Sequence, residues 1–140
     1  MTATCSADAS ALTLCAEGAM LADAGDSTGA IARYTRAVEL APSVLELHLI
    51  LANALQLDGR VLEARAALRH ALRVAYRPDA SSEFTLGKAL VDAGAGAAAV
   101  PCFRRVHAEL PHDAAGAAAL AASLREAQCP DEAWHALAAA

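Results

Sequence analysis

The chain has 140 residues, a formal net charge of −5 and 56% hydrophobic residues, while aromatics make up only 4%. That length suits one domain with a continuous core, and its alanine-rich composition favours helices in close approach. The acidic balance argues against nonspecific binding to nucleic acid, which needs an excess of Lys and Arg, and no uninterrupted apolar run is long enough to span a membrane.

No stretch alternates apolar and polar residues between turn residues as a half-buried strand would, so the expectation is all-α. The start, MTATCSADAS, has neither a basic opening nor the apolar run of a secretory signal. A soluble cytoplasmic protein is therefore expected, with residues 1–9 as a disordered lead. A first helical hairpin over about 10–43 carries Gly18 in its first helix, Gly25-Asp26 at the turn, and Ala30, Tyr34 and Ala37 on one face of its second helix. Pro42 closes it, because proline cannot continue a helix.

The second hairpin, about 44–78, opens on a Ser43…Glu46 capping-box pattern and turns at Asp58-Gly59. His48, Leu51, Ala52 and Leu55, then Ala64, Leu68 and Ala71, form its packing stripe. A third unit, about 79–112, begins at the N-cap Asp79 and carries Leu86, Gly87, Leu90, Gly94, Ala99, Phe103, Val106 and Pro111. Pro101 falls inside the opening of its second helix, which should start late or kink there. The fourth unit, about 113–140, keeps Leu120, Ala121 and Leu124, then opens a last helix at Cys129-Pro130-Asp131-Glu132 that carries Ala133 and Leu137.

Laid over one another, the units repeat in step. The small residue opening each second helix recurs as Ala30, Ala64, Ala99 and Ala133, in steps of 34, 35 and 34. The bulky residue four places on recurs as Tyr34, Leu68, Phe103 and Leu137, and the first-helix leucine as Leu21, Leu55, Leu90 and Leu124. A period of about 34 residues carrying a helix pair describes a solenoid of stacked hairpins. With Gly18, Leu21, Gly25, Ala30, Tyr34, Ala37 and Pro42 in one unit and Leu86, Gly87, Leu90, Gly94, Ala99, Phe103 and Pro111 in another, the chain resembles the tetratricopeptide repeat (TPR) family from about residue 10 to 140.

The resemblance implies a right-handed superhelical solenoid of about four helix-turn-helix repeats, the last one incomplete. It also implies a concave groove, lined by the first helix of each pair, that receives a peptide or a partner's helix. Carried onto this sequence, the groove stripe is Cys15, Ala19 and Ala22, then Leu49, Asn53 and Gln56, then Phe84, Lys88 and Val91, then Ala118, Ala122 and Arg125. Each set is spaced four then three along one helix, beside the packing stripe. The polar contacts would come from Asn53, Gln56, Lys88 and Arg125. Phe84 is either a binding anchor or a ring buried between adjacent first helices. One branch of the family clamps acidic chaperone tails with lysines, asparagines and an arginine; here Cys15, Ala19, Ser81 and Thr85 stand at matching places and only Asn53 resembles a clamp residue, which argues against that function.

Other residues read more plainly. Arg65, Arg69, Arg73 and Arg77 fall four apart and form a basic stripe, expected as a solvated outer face with Glu63 nearby. The histidines, His48, His70, His107, His112 and His135, lack tight metal spacing, although His107 and His112 bracket a turn. Cys5, Cys15, Cys102 and Cys129 show no paired spacing and are expected as reduced thiols. No nucleophile–base arrangement and no phosphate-cradling glycine loop can be read, so neither catalysis nor a metal or other cofactor is expected. Solenoid ends need polar caps, yet Trp134 to Ala140 offer only His135. Continuation into a larger protein, homodimerisation through the last helix pair, or a bare end that tolerates alanine would each account for this. The expected function is a non-catalytic protein–protein interaction module. The alternatives are the N-terminal repeat region of a larger enzyme, such as a bacterial glycosyltransferase, or a small secretion chaperone.

Overall fold

Short acidic side chains cap three of the described helix starts, and glycines turn the chain back after three of the first helices. The computed structural model describes residues 2–127, and side chains among them from residue 9 onward. The chain divides into two compact units, Met1–Tyr76 and Arg77–Ala140. The first holds α1 (Thr2–Asp23), α2 (Ser27–Leu40), α3 (Leu45–Leu57) and α4 (Val61–Val74). The second holds α5 (Ala80–Asp92), a 3₁₀ turn (Gly96–Ala99), α6 (Val100–Glu109) and α7 (Ala114–Glu126). The described residues are helical repeats with no strand among them. Cys129 to Glu132, Ala133, Leu137 and the rest of the last expected helix lie outside the described residues.

Asp26, Asp79 and Asp113 accept from the backbone N–H of Gly29, Ser82 and Gly116 at 3.0, 2.9 and 3.1 Å. Each thereby satisfies one of the amides that a helix start leaves open. At Asp79 these bonds, the backbone one first and the Ser82 hydroxyl second, hold the carboxyl below the usual carboxylate range. The turns at Gly25 and Gly59 need φ of +87° and +82°, which only glycine adopts without strain. In that conformation Asp26 N–H reaches the Leu21 carbonyl and Arg60 N–H that of Leu55, both at 2.8 Å, a Schellman closure. Ala95 N–H closes on Leu90 in the same way. The recurring first-helix leucine therefore also marks the carbonyl that ends its helix.

Two local readings change. The segment 2–9, expected as a disordered lead, belongs to α1, since it has alanines at 3, 7 and 9 and neither glycine nor proline to interrupt a helix. The Ser43…Glu46 capping box does not form: the N-cap is Val44, which puts Glu46 one position too early for the reciprocal bond, and the Ser43 carbonyl accepts from Tyr76 N–H at 2.8 Å. The linkers between successive pairs also differ, four residues at 41–44 and at 110–113 but five at 75–79. Pro101 does delay its helix. In step with α2 and α4 the helix would open at Gly96, but a 3₁₀ turn fills 96–99 and α6 starts at Val100 with proline in its first turn.

The packing stripes are buried: Ala30, Tyr34 and Ala37 on α2, Leu51, Ala52 and Leu55 on α3, and Ala64, Leu68 and Ala71 on α4. In the second unit, Leu86, Leu90, Ala99, Phe103, Val106, Leu120, Ala121 and Leu124 do the same. Two pairs are set by a glycine under an aromatic ring. A Cβ added at Gly18 would lie 2.6 Å from Tyr34 Cε1, and one added at Gly87 2.7 Å from Phe103 Cε1.

His48 is the unusual member of the stripe, fully buried at 0% exposure. Its Nε2 lies 2.6 Å from the Pro42 carbonyl. A carbonyl only accepts, so Nε2 carries the proton and Nδ1, buried without a partner, is the bare nitrogen. Burial lowers its pKa, the Pro42 bond partly opposes this, and nearby His70, ring to ring at 5.7 Å, lowers it further.

Two tests follow. For Gly87→Ala, overpacking costs about 1–3 kcal/mol and the helix gains about 1 kcal/mol, so denaturant melts should show a net loss of up to about 2 kcal/mol. His48 in the folded chain resists protonation below its unfolded pKa of about 6.5, so its contribution is intact above that pH and is lost as pH falls through the lower folded value. The melting temperature should drop between about pH 7 and 5, and by less in His48→Phe; equal slopes for both proteins would contradict this assignment.

Candidate functional site

In the first unit, α1, α2 and α3 enclose an open cleft of about 230 Å³. Ala22 of α1, Ser27, Ala30 and Tyr34 of α2, and Ile50, Asn53, Ala54 and Leu57 of α3 line it. Small side chains make the room: Ala22 and Ala30 keep the helices close and leave the Tyr34 ring as one wall. Ile50 and Leu57 supply the apolar surface, with Leu57 82% exposed. Asn53, exposed on α3, brings an amide that both donates and accepts. The Tyr34 phenol is pushed up by burial first and then by the neighbouring Cys15 and the Asp23 charge.

Of the expected groove residues, Ala22 and Asn53 meet at this cleft, while Leu49 and Gln56 sit half-buried beside it on α3. Ile50 and Leu57 were missed. With Asn53 and Ala54 they form a helical stripe one position round from Leu49, Asn53 and Gln56. No signal in the sequence marks them, because their exposure is visible only in the structure. Cys15 is half-buried, which pushes its thiol up, and Ala19 is exposed.

No family model matches the chain, and no curated protein matches it closely in sequence. Solved structures do match. The crystal structure of MamA superposes with a TM-score of 0.58 at 20% identity, over 92% of this chain and 75% of that one. YrrB, described as a TPR protein with an unusual peptide-binding site, gives 0.60 at 22% identity, over 92% and 66%. The first TPR of Spaghetti (RPAP3), bound to the HSP90 peptide SRMEEVD, gives 0.56 at 19% identity, over 86% and 98%. The chain has the tetratricopeptide-repeat fold.

The other residues expected on the groove stripe lie in the second unit. Lys88 on α5 and Arg125 in the last turn of α7 are exposed, Val91 is half-buried, Ala118 is exposed and Ala122 half-buried. Phe84 is half-buried on α5. Its ring packs on Phe103 of the adjoining second helix, centroid to centroid at 5.7 Å and tilted by 58°. The aromatic spacing favours attraction between rings, so Phe84 widens the contact that Phe103 makes over Gly87.

The basic row also resolves differently. Arg69 and Arg73 are exposed and Arg65 half-buried on α4, but α4 ends at Val74 and Arg77 leaves the row. Arg77 Nε and Arg105 Nη1 each donate to Glu83 Oε1 at 2.8 Å, and Arg105 Nη1 also donates to the Arg77 carbonyl at 3.1 Å. Glu83 is 3% exposed. A carboxylate buried that deeply needs paired, hydrogen-bonded cations. Cys102 beside it is pushed up to about 12 by burial first and then by Glu83, which leaves an inert thiol. Half-buried His107 and exposed His112 join no group of three or more potential metal ligands among the described residues.

Glu83→Gln would leave Arg77 largely buried without its counter-ion. It should destabilise by about 3 kcal/mol, read from urea melts; a change below about 0.5 kcal/mol would contradict the buried pairing.

Proposed function

We propose that this TPR-fold chain is a non-catalytic protein-interaction module that holds a segment of another protein against the exposed face of its first helices. One observation carries the reading: the cleft beside Tyr34 combines exposed apolar side chains, Ile50 and Leu57, with the amide of Asn53. Ligand sites are concave and mostly apolar with a few placed polar groups, and a side-chain amide is suited to the repeating donors and acceptors of an extended backbone.

That solved structures of this fold include a peptide-bound RPAP3 domain and a TPR protein with an unusual peptide-binding site supports the same reading. On this chain the contact residues would be Leu49, Asn53 and Gln56 with Ile50 and Leu57 in the first unit, and Lys88, Val91 and Arg125 in the second. Phe84 would act indirectly, by holding α5 in place.

Peptides selected from a random display library on the 140-residue chain provide the test. Losing the Asn53 amide removes one or two hydrogen bonds at about 1 kcal/mol each, so Asn53→Ala should weaken the selected peptides by about 5- to 30-fold in calorimetry. Lys88→Ala should weaken acidic or backbone contacts by less, and circular dichroism should stay unchanged in both. Selected peptides that bind all the variants equally would overturn the assignment, as would a selection that yields none.

A further inference from the structure

In the first unit, α4 packs inward through Ala64, Leu68 and Ala71. On its opposite face Leu62, Ala66, Arg69 and Arg73 follow at spacings of four, three and four, which puts them in one stripe, and all four side chains are exposed. Leu62 is 77% exposed. Glu63, the only acid of α4, lies a quarter-turn round the helix and turns to Arg60 at 3.8 Å. No acid follows it before Asp79.

Arg33, Arg36, Arg60, Arg77 and Arg105 each meet a carboxylate, whereas Arg69 and Arg73 have no ion-pair partner among the described residues. The helix dipole accounts for Arg73, which stands in the last turn of α4. It does not account for Arg69, four residues from Arg65 and four from Arg73, because like charges at that spacing destabilise a helix. A guanidinium at 69 therefore does not serve the helix. An exposed leucine alone is ordinary. At the head of this stripe, however, Leu62 joins an apolar contact to two forked donors whose geometry matches carboxylates.

We infer that this face of α4 is a second docking surface, distinct from the cleft, and that it takes an acidic segment of a partner protein. The segment lays an apolar side chain on Leu62 and sets carboxylates about 10 and 16 Å further along the helix axis, at Arg69 and Arg73. A phosphate backbone or a lipid surface fits less well, because the stripe offers a short cationic stretch and the chain as a whole, at −5, repels an extended polyanion. Charge complementarity sets which segments dock, and Leu62 adds a contact that salt does not screen.

Fluorescent helical peptides test this on the whole chain by anisotropy. One carries a leucine followed by two glutamates at the spacings of Leu62, Arg69 and Arg73; its control has glutamine in place of glutamate. The glutamate peptide should bind about fivefold tighter at low salt, its advantage should shrink at about 0.5 M salt, and Arg69→Gln should weaken it about threefold. Leu62→Ala should weaken both peptides alike, and Asn53→Ala should leave both unchanged. The melting temperature of Arg69→Gln should not fall, since the change removes a repulsion. Equal affinity of the two peptides, binding of neither, weakening by Asn53→Ala, or a lower melting temperature for Arg69→Gln would overturn the inference. Retention of the chain on phosphatidylserine vesicles that Arg69→Gln abolishes would overturn it in favour of a lipid surface. None of these outcomes bears on the cleft, which the display selection tests separately.

Discussion

Each of two helix pairs rests on one distance, the approach of a second-helix ring to a first-helix position that has no side chain. Tyr34 lies over Gly18 and Phe103 over Gly87, so closely that a single added carbon would overlap the ring. The rest of the pair follows from that contact. Alanines at 30, 37 and 99 are small because the helices they separate are already close, and in the α5–α6 pair Leu90 fills what remains. Close packing of this kind tolerates little change in volume, which is why the period survives in these positions while the outer faces vary freely. The second pair, α3 with α4, uses Ala52 and Leu68 in place of glycine and a ring, and it is there that a histidine has entered the core.

Much of this was legible beforehand because it rests on residue size and spacing. Gly87 and Phe103 announce each other through the repeat, and Gly25 and Gly59 announce turns that need positive φ. The site was legible only in part. Asn53 could be placed on an exposed face by counting, but Ile50 and Leu57 could not, since an apolar residue on an apolar-rich helix carries no mark of its exposure. Phe84 shows the converse. Counting put it on the groove face, yet whether a ring stands free or lies on a neighbour depends on a rotamer and on a second helix, and periodicity encodes neither.

Polar groups were the least legible, because their partners are distant in the chain. Glu83 has the sequence position of an ordinary first-turn acid of α5, and its two cations come from a linker before the helix and from the helix after it. His48 looked like one more stripe position, and its proton acceptor is the carbonyl of a proline outside the helix. Both groups hold a helix start to a preceding linker by a directional bond, where apolar packing alone would allow sliding. They make the two units alike in logic and different in chemistry: one is fastened by a neutral ring, the other by a buried ion cluster.

The five-residue linker at 75–79 shows what one additional amino acid does to a repeating chain. Had that junction matched the other two, the fourth arginine of the row would have met the next helix one position earlier in the count. Arg77 stands in that linker, past the last turn of α4, and an arginine that by spacing belongs to a wet exterior is there the counter-ion of an interior acid. A charge that the repeat would leave to solvent thus becomes internal architecture in the segment that leads into α5.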